Sequence, residues 1–230
     1  MTTRYRTRRL IGILLVLFLT GATILTNPHL YEQTAPATSS STTNDGTALD
    51  ALGALPVKGK APKTGYSRDQ FGDGWATQAG CDTRNIILHR DVQQVVVGDE
   101  CKIMSGLLND PYTGKTILFQ RGSESSQLVQ IDHVVALSNA WQTGAQQLSF
   151  EQRTQLANDP LNLLAVDGAA NQQKSDGDAA TWLPSNKPFR CQYVARQIAV
   201  KQKYSLWVVV AEKDAMARIL QICPGQALPK

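Results

Sequence analysis

"QIDHVVALSNAW", residues 130–141, sets an aspartate and a histidine side by side where an apolar stretch turns polar. Asp-His pairs occur by chance in many chains, so the meaning of His133 depends on what flanks it. "QLVQID", residues 127–132, reads as a short strand ending at the pair, and Val134, Leu137 and Trp141 after it have helical spacing. Ser149 and Gln152 form a capping box for a helix that runs to Asn158, where Asp159-Pro160 stops it. "LNLLAVD", residues 161–167, is then a second apolar strand containing Asn162, and "AANQQKSD", residues 169–176, starts a polar helix.

Working outward, glycines and turn formers run up to Cys81, and a helix follows from Thr83, capped by Asp82 or Thr83. "CKIMSGLLNDPYTGKTILFQRG", residues 101–122, predicts strand, turn and strand. Gly114-Lys115-Thr116 imitates the end of a phosphate-binding P-loop, but Asn109 stands where that loop needs glycine, so a turn is the reading. Two more helices are expected, from Pro188 to about Lys203 and from Ser205 to Ile222, the second with Trp207, Val210 and Ala211 on one face. No internal repeat is present. The pattern is that of an α+β domain with a small antiparallel sheet.

Charge says little about partners. Of 23 Lys and Arg, four (Arg4, Arg6, Arg8 and Arg9) precede residue 10, and the rest balance the 19 Asp and Glu, so a phosphate-binding surface has to be local. Those arginines precede the uncharged run "LIGILLVLFLTGATILT", residues 10–26, which reads either as a signal peptide or as an N-terminal membrane anchor. Both place the rest of the chain outside the cytoplasm. Residues 27–48 form a polar spacer, rich in small residues from position 34, and the folded domain is expected over 49–230, most simply as a monomer.

The four cysteines, Cys81, Cys101, Cys191 and Cys223, lack a Cys-x-x-Cys pair, and outside the spacer only His89 and His133 are at hand to complete a metal cage. Two disulfides suit an exported chain better than zinc. Three pairings exist; Cys81 with Cys101 and Cys191 with Cys223 keeps sequence neighbours together. His89 sits in a helix without a carboxylate motif and reads as an ordinary surface or core histidine.

Strand, Asp132-His133, a long excursion, Asn162, then a helix with Asn171 and Lys174: folded together, these bring a base, two amides, a carboxylate and an ammonium into one cleft. Phosphodiester hydrolysis needs a deprotonated water and a cation against the charge growing on the phosphorus oxygens. A neutral histidine accepts a proton near pH 7, and Asp and Asn oxygens suit Mg²⁺. Taken singly, each residue has an ordinary explanation: Asp132 or Asn171 as a helix cap, Asn162 as a turn residue.

Taken together, "IDHVVALSNAW", "NDPLNLLAV" and "ANQQKSD" resemble the three parts of an HNH (ββα-metal) endonuclease, as in the nuclease domain of RNA-guided DNA-cleaving enzymes. The resemblance is closer to exported bacterial proteins related to the C-terminal nuclease part of GmrSD-type restriction enzymes. There it takes in "ALPVKGKAP", "YSRDQFGDGW", "CDTRNIIL", "DPYTGK" and "WLP" as well, most of residues 50–195. It implies a ββα-metal core with His133 as general base, Asp132 and Asn171 as metal ligands, Asn162 holding the histidine loop and Lys174 as a phosphate contact. Arg84 and Asp91, also in the family-like stretch, are expected to pair structurally. Asn171 stands where some members have histidine, which favours Mg²⁺ or Mn²⁺. The implied substrate is DNA, with RNA second and little sequence preference. The rivals are a non-catalytic nucleic-acid-binding module on the same fold and a cell-wall hydrolase, the latter lacking visible paired carboxylates.

Overall fold

A computed structural model describes residues 46–122 and 127–229; the apolar run at 10–26 and nearly all of the spacer at 27–48 lie outside them. Among the described residues, no helix is long and apolar enough to cross a membrane. Thr47 caps the first helix among the described residues, α1 (Ala48–Ala54), in a reciprocal capping box with Asp50.

The centre of the fold is an antiparallel pair, β6 (Val129–His133) with β7 (Leu163–Asp167), in register His133 opposite Leu163 and Val129 opposite Asp167. Side chains alternate across such a pair. Val129, Ile131, Leu163 and Ala165 enter one core with Ile87, Leu88, Leu108 and Phe119. Leu164 and Val166 enter another with Tyr112, Tyr193, Val194 and Ile198. Burial on both faces explains why "LLAV" is a continuous apolar run rather than an alternating one. The same alternation sends Asp132 and His133 to opposite sides.

Helix α5 (Gly168–Lys174) follows β7 at once, its N-cap Asp167 accepting a bond from the Ala170 amide. Glycine is required at its first position, because a Cβ on Gly168 would lie 2.1 Å from the Gln127 carbonyl oxygen. Strand, strand and helix are therefore contiguous in space.

The other elements frame this unit. Two short strands, β1 (Thr77–Gln78) and β2 (Cys81–Asp82), form a ribbon. Helix α2 (Thr83–Asp91) is capped by Asp82, and a three-stranded sheet orders β3 (Val92–Val97), β4 (Ile103–Asn109) and β5 (Thr116–Gln120). In the excursion between β6 and β7 lie α3 (Leu137–Gln142) and α4 (Phe150–Asn158). Helices α6 (Arg190–Lys203) and α7 (Val210–Leu220) close the chain. Disulfides join Cys81 to Cys101, with Cα atoms 5.5 Å apart, and Cys191 to Cys223, 6.5 Å apart. Burying Phe71 and Phe119, each 2% exposed or less, stabilises the fold by about 1.5–3 kcal/mol per side chain.

Several expectations need correction. Helix α3 starts at Leu137, not Val134, because Asn162 takes the Val134 amide with its carbonyl and the Val135 amide with its side chain, each at 2.8 Å. Asn162 itself lies in the turn before β7, its amide bonded to the Asp159 carbonyl. The last helix starts at Val210 rather than Ser205. Ser205 adopts φ 53°, and Trp207 and Val208 donate their amides to Thr143 and Pro56 instead. Strand β3 was not anticipated; "VQQVVV" has no alternation, and its pairing with β4 is bulged between Gln93 and Val96. Arg84 and Asp91 do not pair: Asp91 binds Arg90 at 2.6 Å and the Ala165 amide at 2.8 Å, while Arg84 reaches the Val129 carbonyl.

Candidate active site

Asp132, His133 and Asn171 line one cleft of about 360 Å³, with Gln130, Ser138 and Asp176 on its walls. A second cleft of about 300 Å³, lined by Phe71, Gly72, Gly74, Trp75 and Ala157, also opens onto His133. His133 lies at their meeting point.

Its geometry fixes its tautomer. Nε2 lies 2.9 Å from the Ala157 carbonyl oxygen, which only accepts, so Nε2 carries the proton and Nδ1 has the free lone pair. Trp75 stacks on the ring, with centroids 5.7 Å apart and planes 13° from parallel. Burial pushes the His133 pKa down to about 3, with the Arg68 and Lys174 charges adding and the Ala157 bond opposing. The imidazole is therefore neutral near pH 7, as a proton acceptor must be.

Asn162 is fully buried behind this histidine. Its Oδ1 accepts from the Val135 amide, and its Nδ2 donates to the Val135 and Leu156 carbonyls. It thus ties both backbone groups of Val135, two residues past His133, to the segment that reaches Ala157. An aspartate there could accept but not donate, and an alanine could do neither.

On the opposite face, Asp132 is 5% exposed and held from two directions. The Tyr112 hydroxyl donates to its Oδ2 in a short bond, and Lys174 Nζ donates to its Oδ1 at 2.9 Å. Burial raises the Asp132 pKa from the usual carboxylate range, against the pull of Lys174 and Tyr112. Lys174 also donates to the His133 carbonyl at 2.9 Å and is only 1% exposed. It lies beneath the strand end rather than in the cleft, which removes it as a phosphate contact. Asn171 Nδ2 donates to Gln130 Oε1 at 2.9 Å, so its Oδ1 is the atom left for another partner.

Could these residues hold a cation? No cluster of three or more His, Cys, Asp or Glu suited to a metal occurs among the described residues. What the cleft offers is the Asp132 carboxylate, whose oxygens each retain a lone pair, and the Asn171 amide oxygen; the second carboxylate on its walls, Asp176, is held by Lys63 and Ser138. Such a sparse, oxygen-only set fits Mg²⁺, which keeps its waters and takes phosphate oxygens as further ligands, and does not fit a protein-built zinc cage. Both disulfides lie away from this cleft, with Cys81 and Cys101 on an apolar pocket of their own.

Tyr112, Gln130, Trp75 and Arg68 belong to the site and were not singled out from sequence. Tyr112 and Trp75 stand in the family-like stretches "DPYTGK" and "YSRDQFGDGW", but nothing in their local spacing gives them a task.

The class is thus an α+β domain whose strand–strand–helix unit carries a neutral histidine beside a cleft lined by carboxylate and amide side chains. The chain belongs to the family of the C-terminal domain of GmrSD restriction endonucleases, whose model matches residues 87–219. It is also 41% identical over 180 residues to a protein of Arthroderma benhamiae described as an uncharacterized secreted protein, covering 77% of this chain and 85% of that one. No solved structure matches significantly.

Proposed function

We propose that this protein is a metal-dependent HNH-type endonuclease that hydrolyses phosphodiester bonds in DNA, and in RNA where it is offered, with little sequence preference. The observation that carries the reading is the His133 tautomer: a neutral imidazole, with Nε2–H spent on the Ala157 carbonyl, keeps the Nδ1 lone pair free on a ring that lines both clefts, one of them with Asp132 and Asn171. In this reading β6, β7 and α5 are the ββα-metal core. Family membership supports nuclease chemistry, and the secreted relative and the paired cysteines support an extracytoplasmic setting.

Asp132 and Asn171 are the residues that would hold Mg²⁺ or Mn²⁺. The cation supplies positive charge against the charge that develops on the phosphate oxygens. His133 Nδ1 takes the proton from the attacking water as its oxygen bonds to phosphorus; the bond from phosphorus to one sugar oxygen breaks, and that oxygen takes a proton from solvent. Trp75 and the Ala157 carbonyl keep the ring in plane, and Asn162 keeps the Val135 loop, and with it the strand end, in place. Lys174 and Tyr112 hold the Asp132 carboxylate in one orientation, which fixes the direction of its remaining lone pairs.

The test is nicking of supercoiled plasmid by purified protein in Mg²⁺, Mn²⁺ and EDTA. His133→Ala should fold normally and lose roughly 10²- to 10⁴-fold in rate. Wild-type rates in the folded variant, or equal cleavage in EDTA, would reject the assignment. Plasmid binding without cleavage by wild type would favour the non-catalytic binding module.

A further inference from the structure

With Lys174 buried beneath the strand end, another group has to grip the substrate phosphate. Three residues line both clefts that meet at the base: His133, Leu137 and Arg68. Arg68 alone among them carries charge at neutral pH.

The turn that presents it is rigid. Arg68–Phe71 form one 3₁₀ turn, closed by the Gly72 amide on the Asp69 carbonyl. Phe71 is 2% exposed, and Tyr66, Phe71 and Trp141 pack ring against ring. Arg153 Nε donates to the Gln70 carbonyl at 2.7 Å and locks the turn onto α4. The Arg68 side chain, in contrast, is exposed and makes no ion pair or hydrogen bond to any described residue. The other cation on these walls, Lys63, is taken by Asp176 at 3.2 Å. A fixed backbone with an unspent guanidinium beside the base is the arrangement for a two-pronged contact to a phosphodiester. Asp69 and Asp73 line only the cleft with Trp75 and have no ion pair among the described residues, whereas Asp132 and Asp176 on the other side are each paired with a lysine, so the strand's backbone belongs on the Asp132 side.

We propose that Arg68 clasps the non-bridging oxygens of the scissile phosphodiester and sets it in line with His133. This rests on the nuclease reading for its substrate. Wild type is compared with Arg68→Ala and Arg68→Lys, beginning with binding of a short fluorescent DNA strand in EDTA across a salt series. Arg68→Ala should bind roughly tenfold more weakly or worse, with an unchanged melting temperature, since the lost bond is to a charged group. Its slope of log affinity against log salt should flatten by about one. Arg68→Lys should restore the slope but not the full affinity, because an ammonium cannot present two fixed donors.

In Mg²⁺, hydrolysis of bis(p-nitrophenyl) phosphate, a diester with a single phosphate, should lose as much kcat/KM in Arg68→Ala as DNA cleavage does. Unchanged affinity and slope in the folded variant would overturn the proposal, as would a loss confined to DNA, which would move the contact to a flanking phosphate. A wild type that binds through Arg68 but cleaves nothing would reject the nuclease reading and leave the phosphate contact standing. One that binds no oligonucleotide would overturn both.

Discussion

Lys174 and Lys201 are both buried lysines, 1% and 0% exposed, each against one carboxylate. Lys174 meets Asp132 at 2.9 Å beside the cleft, and Lys201 meets Glu212 at 3.0 Å between α6 and α7. Around the first pair every oxygen is engaged: Tyr112 takes the second Asp132 oxygen and the His133 carbonyl takes a second Lys174 proton. Around the second, Lys201 also bonds the Trp207 carbonyl, yet Asn139 Nδ2, Gln197 Oε1 and Glu212 Oε1 have no hydrogen-bond partner among the described residues, the last being near Nζ but out of line. Burial pushes the Lys201 pKa down and the Glu212 pKa up, each against the pull of the other. The same ion pair thus has two uses. One orients a carboxylate that faces a cleft; the other pins the extended segment before α7 and lines neither cleft.

Five variants bear on that contrast, the largest effect first. Lys174→Met should cost both stability and catalysis, with rate per folded molecule falling at least about 10²-fold, because Asp132 loses its orientation. A folded variant with normal kcat would make the two lysines equivalent. Lys201→Met should cost about 3–5 kcal/mol, read from urea midpoints, because it leaves Glu212 charged and unpaired. Its rate per folded molecule should stay within about twofold of wild type. Replacing both partners, Lys201→Met with Glu212→Leu, should regain most of the stability. If the double variant is as unstable as the single one, the extended segment depends on the charges themselves.

The Cys191–Cys223 disulfide connects the start of α6 to the turn just past the end of α7, the helices that carry Lys201 and Glu212. Cys191→Ser with Cys223→Ser should lower stability by roughly 2–4 kcal/mol and leave the metal midpoint for cleavage untouched. A shifted midpoint would show that the helical pair communicates with the cleft. The smallest effect falls to Asn171→Ala, which should raise the Mg²⁺ concentration for half-maximal rate several-fold without changing the melting temperature. Mn²⁺ should recover part of the rate. An unchanged midpoint would remove Asn171 from the cation.

The local parts of this fold were legible because neighbours in sequence decide them. The Ser149–Gln152 box, the Asp82 cap, the Asp159-Pro160 stop and the Asn109–Gly114 turn all satisfy their backbone groups within a few residues. The segment at 134–136 and the one at 206–209 misled because distant partners, Asn162 for the first and Thr143 and Pro56 for the second, took the amides that a helix would have used. Lys174 was misplaced for the same reason. A lysine on a polar helix reads as exposed, and only the packing of α5 on β6 puts its ammonium under Asp132. Tyr112 and Trp75 reach the site from other elements, so no spacing could reveal them.

The alternation along β6 also governs how the chain could change length. One residue added between Val129 and His133 would turn the aspartate toward Trp75 and the base toward Tyr112, and the site would be lost with the strand still paired. One residue added beside Asp99 and Glu100 would only lengthen an exposed turn between β3 and β4. Relatives of this protein should therefore differ in length freely at that turn and never within the five residues that end at His133.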